Sequence, residues 1–490
     1  MEHEAKPVAA APREEAGGVA DRRPGRPPRQ QWLLRFALAY TFLYMLPFPL
    51  TLLGMLYMIP GFGELPVLSS VVGYIVGVHS LVTQPVVLWM GRALFAVEAE
   101  VQGTGSGDMT WHYLDLLFDL LLALVVAAVW SSRRRGRPVS VRLRDGWQVM
   151  ARYYLGSTLL SYGFAKVFPL QFPAPGPDRL LQPYGDSSPM GLLWTFMGAS
   201  TGYQIFGGLM ELAGGYLLFF RRTTLLGALV SAGVLANILA LNVFYDVPVK
   251  LFSAHLLLVA CLIALPDVPR LVRLFLHNRA VEAGDLTPRW HGSRLSRRWL
   301  LAVKWSIIAS VTAVQVVGSI GLARSPGAFL AERSALRGVY AVESFAIVGA
   351  AEGVVPDVDE GVAGDEVVAT GEDEGSPGAA AEEAPVPDGL RWVRVGLNPP
   401  WVGTVQRADG SAVRLRLRLD EEQGTLALFD RGLAEPPHVP MVYERSDDGS
   451  LELRGLFDGH RLEVVLRPLE HEALLTSRGF RWVNEYPFNR

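Results

Sequence analysis

Long apolar runs, separated by short connectors rich in arginine, constrain this chain more than any other feature. A hydrocarbon core of about 30 Å takes roughly 20 apolar residues to cross as a helix. Such runs recur near 32–58, 112–131, 147–168, 203–220, 223–245, 251–266 and 299–321. Half of the 490 residues are hydrophobic and only 19% are charged, below the ~25% of an ordinary soluble domain. The sequence therefore predicts a mainly α membrane bundle of about seven transmembrane helices over 32–324, not a wholly soluble enzyme. The run at 66–97, interrupted by glycines, His79 and Gln84-Pro85, reads as a pair of short helices or as one lying in the outer interface. The sixth run is short unless its helix continues past Pro266.

Orientation follows from the arginines, because short cytoplasmic loops hold an excess of Lys and Arg. They cluster at 22–29, 133–144, 221–222 and 270–298, and seven crossings put every cluster on one side. This predicts an N-terminus in the cytoplasm, a bacterial cytoplasmic (inner) membrane, and an extracytoplasmic C-terminal part. Residues 1–31 read as a disordered cytoplasmic arm without a cleavable leader. Residues 325–389 read as a linker around an acidic insert, and 351–390 contain neither Lys nor Arg. From Leu390 the hydrophobic period becomes two, as in AVRLRLRL at 412–419, and Asp-Gly pairs stand at 409–410, 448–449 and 458–459. Residues 390–490 are thus predicted to form a small all-β antiparallel sheet or barrel. RGVYAVESFAIV at 337–348 is either its first strand or an edge helix.

Four polar segments marked by Gly or Pro stand out: GTGSGD at 103–108, FAKVFP at 164–169 with YGDSSPMG at 184–191, and YDVPVK at 245–250. The predicted topology puts all four at outer ends of spans, which points to one outward-facing polar site. Glu211 lies well inside the fourth span, where a carboxylate is costly unless paired, protonated or hydrated, so a functional role is the default. Lys166 is one of only four lysines, and unlike arginine it can lose its proton when desolvated. Tyr162 falls one turn away on the same face. Glu211, Lys166 and Tyr162 are the catalytic candidates. Asp108, Tyr184, Asp186, Ser187, Asn242, Asp246, Lys250 and His255 are the binding candidates. Ser188-Pro189 also reads as a plain helix start, and Asn237, Asn242 and His255 as interhelical hydrogen-bonding groups in the bundle.

His79, His112 and His255 form no ligand pair on one helix, and Cys261 is the lone cysteine, so no metal or haem is expected. No phosphate-cradling loop or hydrolase motif stands in a credible context, and no nucleic-acid partner is expected.

RYYLGSTLLSYGFAK at 152–166 and MELAGGYLLFFRR at 210–222 resemble the Arg-Gly-Gly-Lys and Glu-Gly-Gly helices of the DoxX family of membrane proteins. The resemblance touches Arg152, Gly156, Gly163, Lys166, Glu211, Gly214 and Gly215 and covers a core at 152–267. SYGFAKVFPLQFP, QPYGDSSPMGLLWTFMGAS, YDVPVKLFS and LLTSRGFRWVNEYPFNR look like a larger DoxX-like subgroup. The helix order with an outer β domain is similar to that of the vitamin K-dependent carboxylase and its HTTM relatives. One DoxX branch includes the membrane subunit of a thiosulfate–quinone oxidoreductase, so the resemblance implies a role beside quinones. The expected function is a quinone- or lipid-binding, redox-associated subunit, an oxidoreductase component whose only cofactor would be a quinone. Glu211 would relay protons, while Lys166 and Tyr162 would contact carbonyl oxygens. The alternatives are a non-catalytic envelope scaffold or assembly factor, and a small-solute or lipid transporter. Besides membrane lipids, an envelope or redox protein would be the partner of the 390–490 domain.

Overall fold

The computed structural model describes residues 28–469 and Leu475, except 60, 102–104, 135–136, 285, 287–293, 325–333, 351–385, 400–401 and 431–439. The acidic insert, almost all of the N-terminal arm and the segment 476–490 fall outside the described residues. Nine longer helices precede the strands among those described: α1 Pro28–Met45, α2 Pro66–Phe95, α3 Thr110–Arg133, α4 Val141–Val167, α5 Pro189–Ala199, α6 Thr201–Leu218, α7 Thr224–Phe244, α8 Lys250–Ala264 and α9 Arg294–Ala323.

The predicted spans fall mainly on helix, the first only as far as Met45, and five helices are long and apolar enough to cross a membrane: α2, α3, α7, α8 continued through Leu276, and α9. Three expectations are corrected here. The 66–97 run is one continuous helix that passes through Pro85, since glycine and proline are tolerated inside apolar helices of the membrane type. Helix α1 starts at Pro28, inside the stretch assigned to the arm. Pro at the first helical position gives up only a donor that would be unsatisfied anyway. The first span also ends early, at Met45, where Pro47 and Pro49 interrupt the i to i−4 ladder before two short turns at 51–58.

Long-range hydrogen bonds define the two ends of the bundle. The Arg35 guanidinium donates to the carbonyls of Arg134 (3.1 Å) and Arg137 (2.7 Å), and Val139 N–H donates to Gln31 Oε1. The start of α1 and the end of α3 therefore share one end, with the arginine-rich connector. At the other end Asp108 accepts from the backbone N–H groups of Lys250 (2.8 Å) and Leu251 (3.0 Å). It satisfies donors that the first turn of α8 leaves open.

The strands are β1 Gly338–Ala350, β2 Trp392–Asn398, β3 Val402–Arg407, β4 Ala412–Asp420, β5 Thr425–Phe429, β6 Met441–Arg445, β7 Leu451–Phe457 and β8 His460–Pro468. They close as an antiparallel barrel in sequence order, with β8 pairing back onto β1. The 337–348 segment is thus the first strand, and the β unit begins near 338 rather than at 390. Strands β3 and β6, not foreseen in the sequence, complete the closure. In β4 the leucines Leu415 and Leu417 point into the core, while Arg416 and Arg418 stay exposed, as the two-residue period requires. The core gathers Trp392, Val395, Leu397, Leu426, Leu451 and Val464. Between β7 and β8, Asp458 (φ 51°) and Gly459 (φ 77°) are both left-handed, the conformation of a two-residue hairpin turn whose twist matches its strands.

Candidate functional site

Helices α4 and α6 meet along a seam of glycines spaced seven residues apart on each. A Cβ added at Gly208 would stand 2.6 Å from the Gly163 carbonyl oxygen, and one at Gly163 would stand 3.0 Å from that of Gly208. Two turns away, a Cβ at Gly215 would lie 3.0 Å from the Gly156 carbonyl, and one at Gly156 would lie 3.2 Å from that of Gly215. Only hydrogen at these positions lets two backbones come so close, which is how small residues drive helix packing where lipid offers no hydrophobic incentive. At one end of the seam Arg152 Nε donates to the Leu218 carbonyl at 2.7 Å, where the last turn of α6 leaves acceptors open.

At the other end the close approach brings Lys166 to Glu211. Lys166 Nζ lies 2.9 Å from both Glu211 oxygens, and the two residues are 7% and 1% exposed. Each charge is the other's compensation, because a buried ion with its partner removed is strongly destabilising. The Tyr162 ring centroid stands 5.6 Å from Nζ, and Tyr162 is 39% exposed. All three catalytic candidates are therefore neighbours.

The binding candidates separate into other groups. Asp108, Asp246 and Lys250 form an ion-pair cluster, with Lys250 Nζ 2.7 Å from Asp246 and 3.8 Å from Asp108. Asn242 donates to Ser253 Oγ at 3.0 Å. His255 bonds Tyr40 in a further cluster. Tyr184 and Asp186 are exposed, Ser187 is half-buried, and Ser188 Oγ caps α5 by accepting from Gly191 N–H. Asn237, expected to hydrogen-bond between helices, lies exposed on α7, because the inward stripe of that helix is carried by Gly227, Ser231, Leu235 and Asn242. The four polar segments nonetheless gather at one end of the bundle. Phe172, Leu193, Met197 and Val247 share a buried cluster there, and Gly107 N–H donates to the Pro248 carbonyl at 2.7 Å.

The barrel docks at that same end, through residues that the sequence did not single out. Asp178, 3% exposed, pairs with Arg414 of β4 and accepts from Asn398 Nδ2 of β2 at 3.1 Å. A Cβ at Gly396 would stand 2.9 Å from the Pro177 carbonyl, so the strand and the loop touch backbone to backbone. Burial, then the neighbouring Arg414, pushes the Arg179 guanidinium below its ordinary range, and Asp178 pulls it back. The Pro-Gly-Pro-Asp sequence at 175–178 signals a turn, and nothing in it names the strand residues that the turn meets. Two further acids were missed, Asp115 and Asp119, although their spacing of four inside an apolar run was a readable signal.

A cleft of about 550 Å³ opens elsewhere, between the 46–50 segment and α2, lined by Leu46, Phe48, Val78, His79, Val82 and Thr83 among others.

The uncharacterized protein YwoB of Bacillus subtilis (strain 168) is 33% identical to this chain over 114 residues, which are 23% of this chain and 71% of YwoB. At that identity and coverage the chain belongs to the same family as YwoB. No family model matches the chain, and no solved structure matches it.

Proposed function

We propose that this protein is an integral scaffold of a bacterial cytoplasmic membrane, whose helical core presents the eight-stranded barrel to an envelope partner. The observation that carries this reading is the docking of the barrel onto the helical part through buried Asp178, at the end of the bundle opposite the Arg134–Arg137 connector. By the positive-inside rule that connector faces the cytoplasm, and the barrel stands outside. In this reading α1, α3, α4, α6, α7, α8 and α9 cross, seven in all, while α2 lies along the outer interface. Helix α6, with 18 residues, is about 27 Å long, and α4 shields its Glu211 from lipid. The core at 152–267 is of the DoxX type in the same reading. The test is a membrane-impermeant thiol reagent on whole cells, with Cys261→Ser as background and single cysteines at Asp409 or Arg137. Labelling at 409 alone supports the orientation; labelling at 137 alone overturns it.

A second reading, a quinone- or lipid-binding redox-associated subunit, is favoured by one specific observation: the partly exposed Tyr162 ring beside the Lys166–Glu211 pair. A quinone carbonyl reaching Tyr162 would find donors there, with Glu211 as proton acceptor. Purified protein would then retain a quinone, and Glu211→Gln would reduce the amount. An extract without quinone leaves the scaffold.

A further inference from the structure

Toward the end of the bundle that carries the arginine-rich connector, α4, α6 and α9 meet around buried Phe219, with Tyr153 of α4 and Ile308 of α9 in the same cluster. Two contacts there bring cations to the last turn of α6. Arg152 of α4, 5% exposed, donates from Nε to the Leu218 carbonyl at 2.7 Å. Lys304 of α9 holds its Nζ 4.3 Å from the centre of the Phe220 ring, within the range of a cation–π contact. Arg221, the residue after Phe220, is exposed.

No acid answers these charges. Among the described residues none of the three cations pairs with a carboxylate. Residues 219–224 and 294–323 contain neither Asp nor Glu. Asp145, the nearest acid on α4, stands one heptad before Arg152, about 10 Å along the helix axis. The two terminal nitrogens of Arg152 have no partner among the described residues, and neither is sealed from the surface. What offsets three positive charges inside the chain is the C-terminal end of α6, worth roughly half a negative charge. A guanidinium does not shed its proton, and a buried charge without a counter-charge is costly. The end of α6 is therefore short of an anion.

The surroundings favour an anion with apolar tails. Helix α6 is about as long as the hydrocarbon core is thick, so its end lies near the depth of lipid phosphates. Trp305 packs on Phe220 at 5.6 Å between ring centroids, yet it is exposed, as is Leu301 one turn earlier on the same face. A free phosphate would leave that face bare, whereas a phospholipid covers it with an acyl chain.

We propose that the end of α6 is a binding site for an anionic phospholipid, its phosphate held by Lys304 and Arg152 with Arg221 at the rim, and one acyl chain lying on Trp305 and Leu301. Its placement in the cytoplasmic leaflet rests on the orientation proposed above; the charge and the apolar face do not.

The test strips the full-length protein of lipid in detergent and titrates it with dioleoylphosphatidylglycerol, counting bound lipid by native mass spectrometry. The first phosphatidylglycerol is expected to bind more tightly than dioleoylphosphatidylcholine, which has the same chains and phosphate but no net charge; equal affinities overturn the proposal. Lys304→Gln should weaken that first binding about five-fold, the equivalent of the roughly 1 kcal/mol that one cation contributes near an anionic surface. Arg133→Gln removes an exposed cation at the same end but outside the site and should leave the first binding unchanged. Equal losses in the two variants would mean general charge attraction and overturn the site. Displacement of the lipid by millimolar inorganic phosphate would overturn a lipid ligand. The preference of the unmodified protein needs no variant to fold. A titration in detergent is blind to sidedness, so its failure leaves the cysteine-labelling result standing, and the reverse also holds.

Discussion

Gly207 and Gly208 are adjacent on α6, yet the same substitution at each is expected to act with opposite sign. Alanine at an exposed helix position gains about 1 kcal/mol over glycine through backbone entropy. At Gly207 the new Cβ meets only Lys166 Cδ, at 4.0 Å, so Gly207→Ala keeps most of that gain. At Gly208 it would stand 2.6 Å from the Gly163 carbonyl oxygen and 2.9 Å from Lys166 Cβ. Relaxing 2.6 Å to an ordinary contact of 3.4 Å separates the helices locally by about 0.8 Å. A forced shift of this kind costs about 1–3 kcal/mol. It also stretches the 2.9 Å Lys166–Glu211 contacts past normal hydrogen-bond length, roughly 3.2 Å. Gly208→Ala should therefore be net destabilising by up to about 2 kcal/mol once the helix gain is subtracted, and Gly207→Ala neutral to stabilising. Thermal unfolding of the two variants side by side in one detergent, followed by far-UV circular dichroism, measures the difference. Equal midpoints for the two would refute a backbone-to-backbone seam between α4 and α6.

Three further outcomes are expected. Lys166→Met alone should cost about 3–5 kcal/mol by leaving Glu211 buried without its partner, and Lys166→Met with Glu211→Leu should recover most of it. A double variant as unstable as the single, in the same unfolding assay, would mean that the pair does not couple. Asp178→Ala should strip Arg414 and Asn398 of their acceptor and loosen the barrel from the helical part, read as faster protease cleavage between Arg324 and Gly338 with the barrel fragment itself resistant. Unchanged cleavage would show that Asp178 does not hold the two parts together. Leu451→Ala, at a fully buried barrel position, should cost about 2–5 kcal/mol, seen as a lower denaturant midpoint for Trp392 fluorescence with the helical signal unchanged.

The helices were legible because a 20-residue apolar run in a chain with clustered arginines has few other solutions. Helix α2 was harder, since glycines and Pro85 look like breaks, whereas an apolar helix of the membrane type tolerates them where the freed backbone groups find other partners. The strands with alternating residues, such as 412–419 and 451–457, were readable to within a residue. Strands β3 and β6 were not: VGTVQR and MVYER are short, and their pairing comes from neighbours that close the barrel. Lys166 and Glu211 were legible one at a time as costly charges, while their mutual contact was not, because it depends on the approach that Gly163 and Gly208 permit 45 residues apart. The docking through Asp178 was invisible for the same reason: its partners Asn398 and Arg414 lie more than 200 residues away.

Six of the seven residues that carry the sequence likeness are spent on one contact, and the seventh, Gly214, packs against Ser231 of α7. Arg152 closes the end of α6, Gly156 and Gly163 receive the backbone of Gly215 and Gly208, and Lys166 neutralises Glu211. Any ligand acting at Lys166 must therefore replace two 2.9 Å charge-assisted contacts, each stronger than a neutral hydrogen bond. A neutral carbonyl brings no charge to offset the carboxylate it would strand. It can approach through Tyr162 but cannot displace Glu211, so the pair reads first as a bolt between α4 and α6.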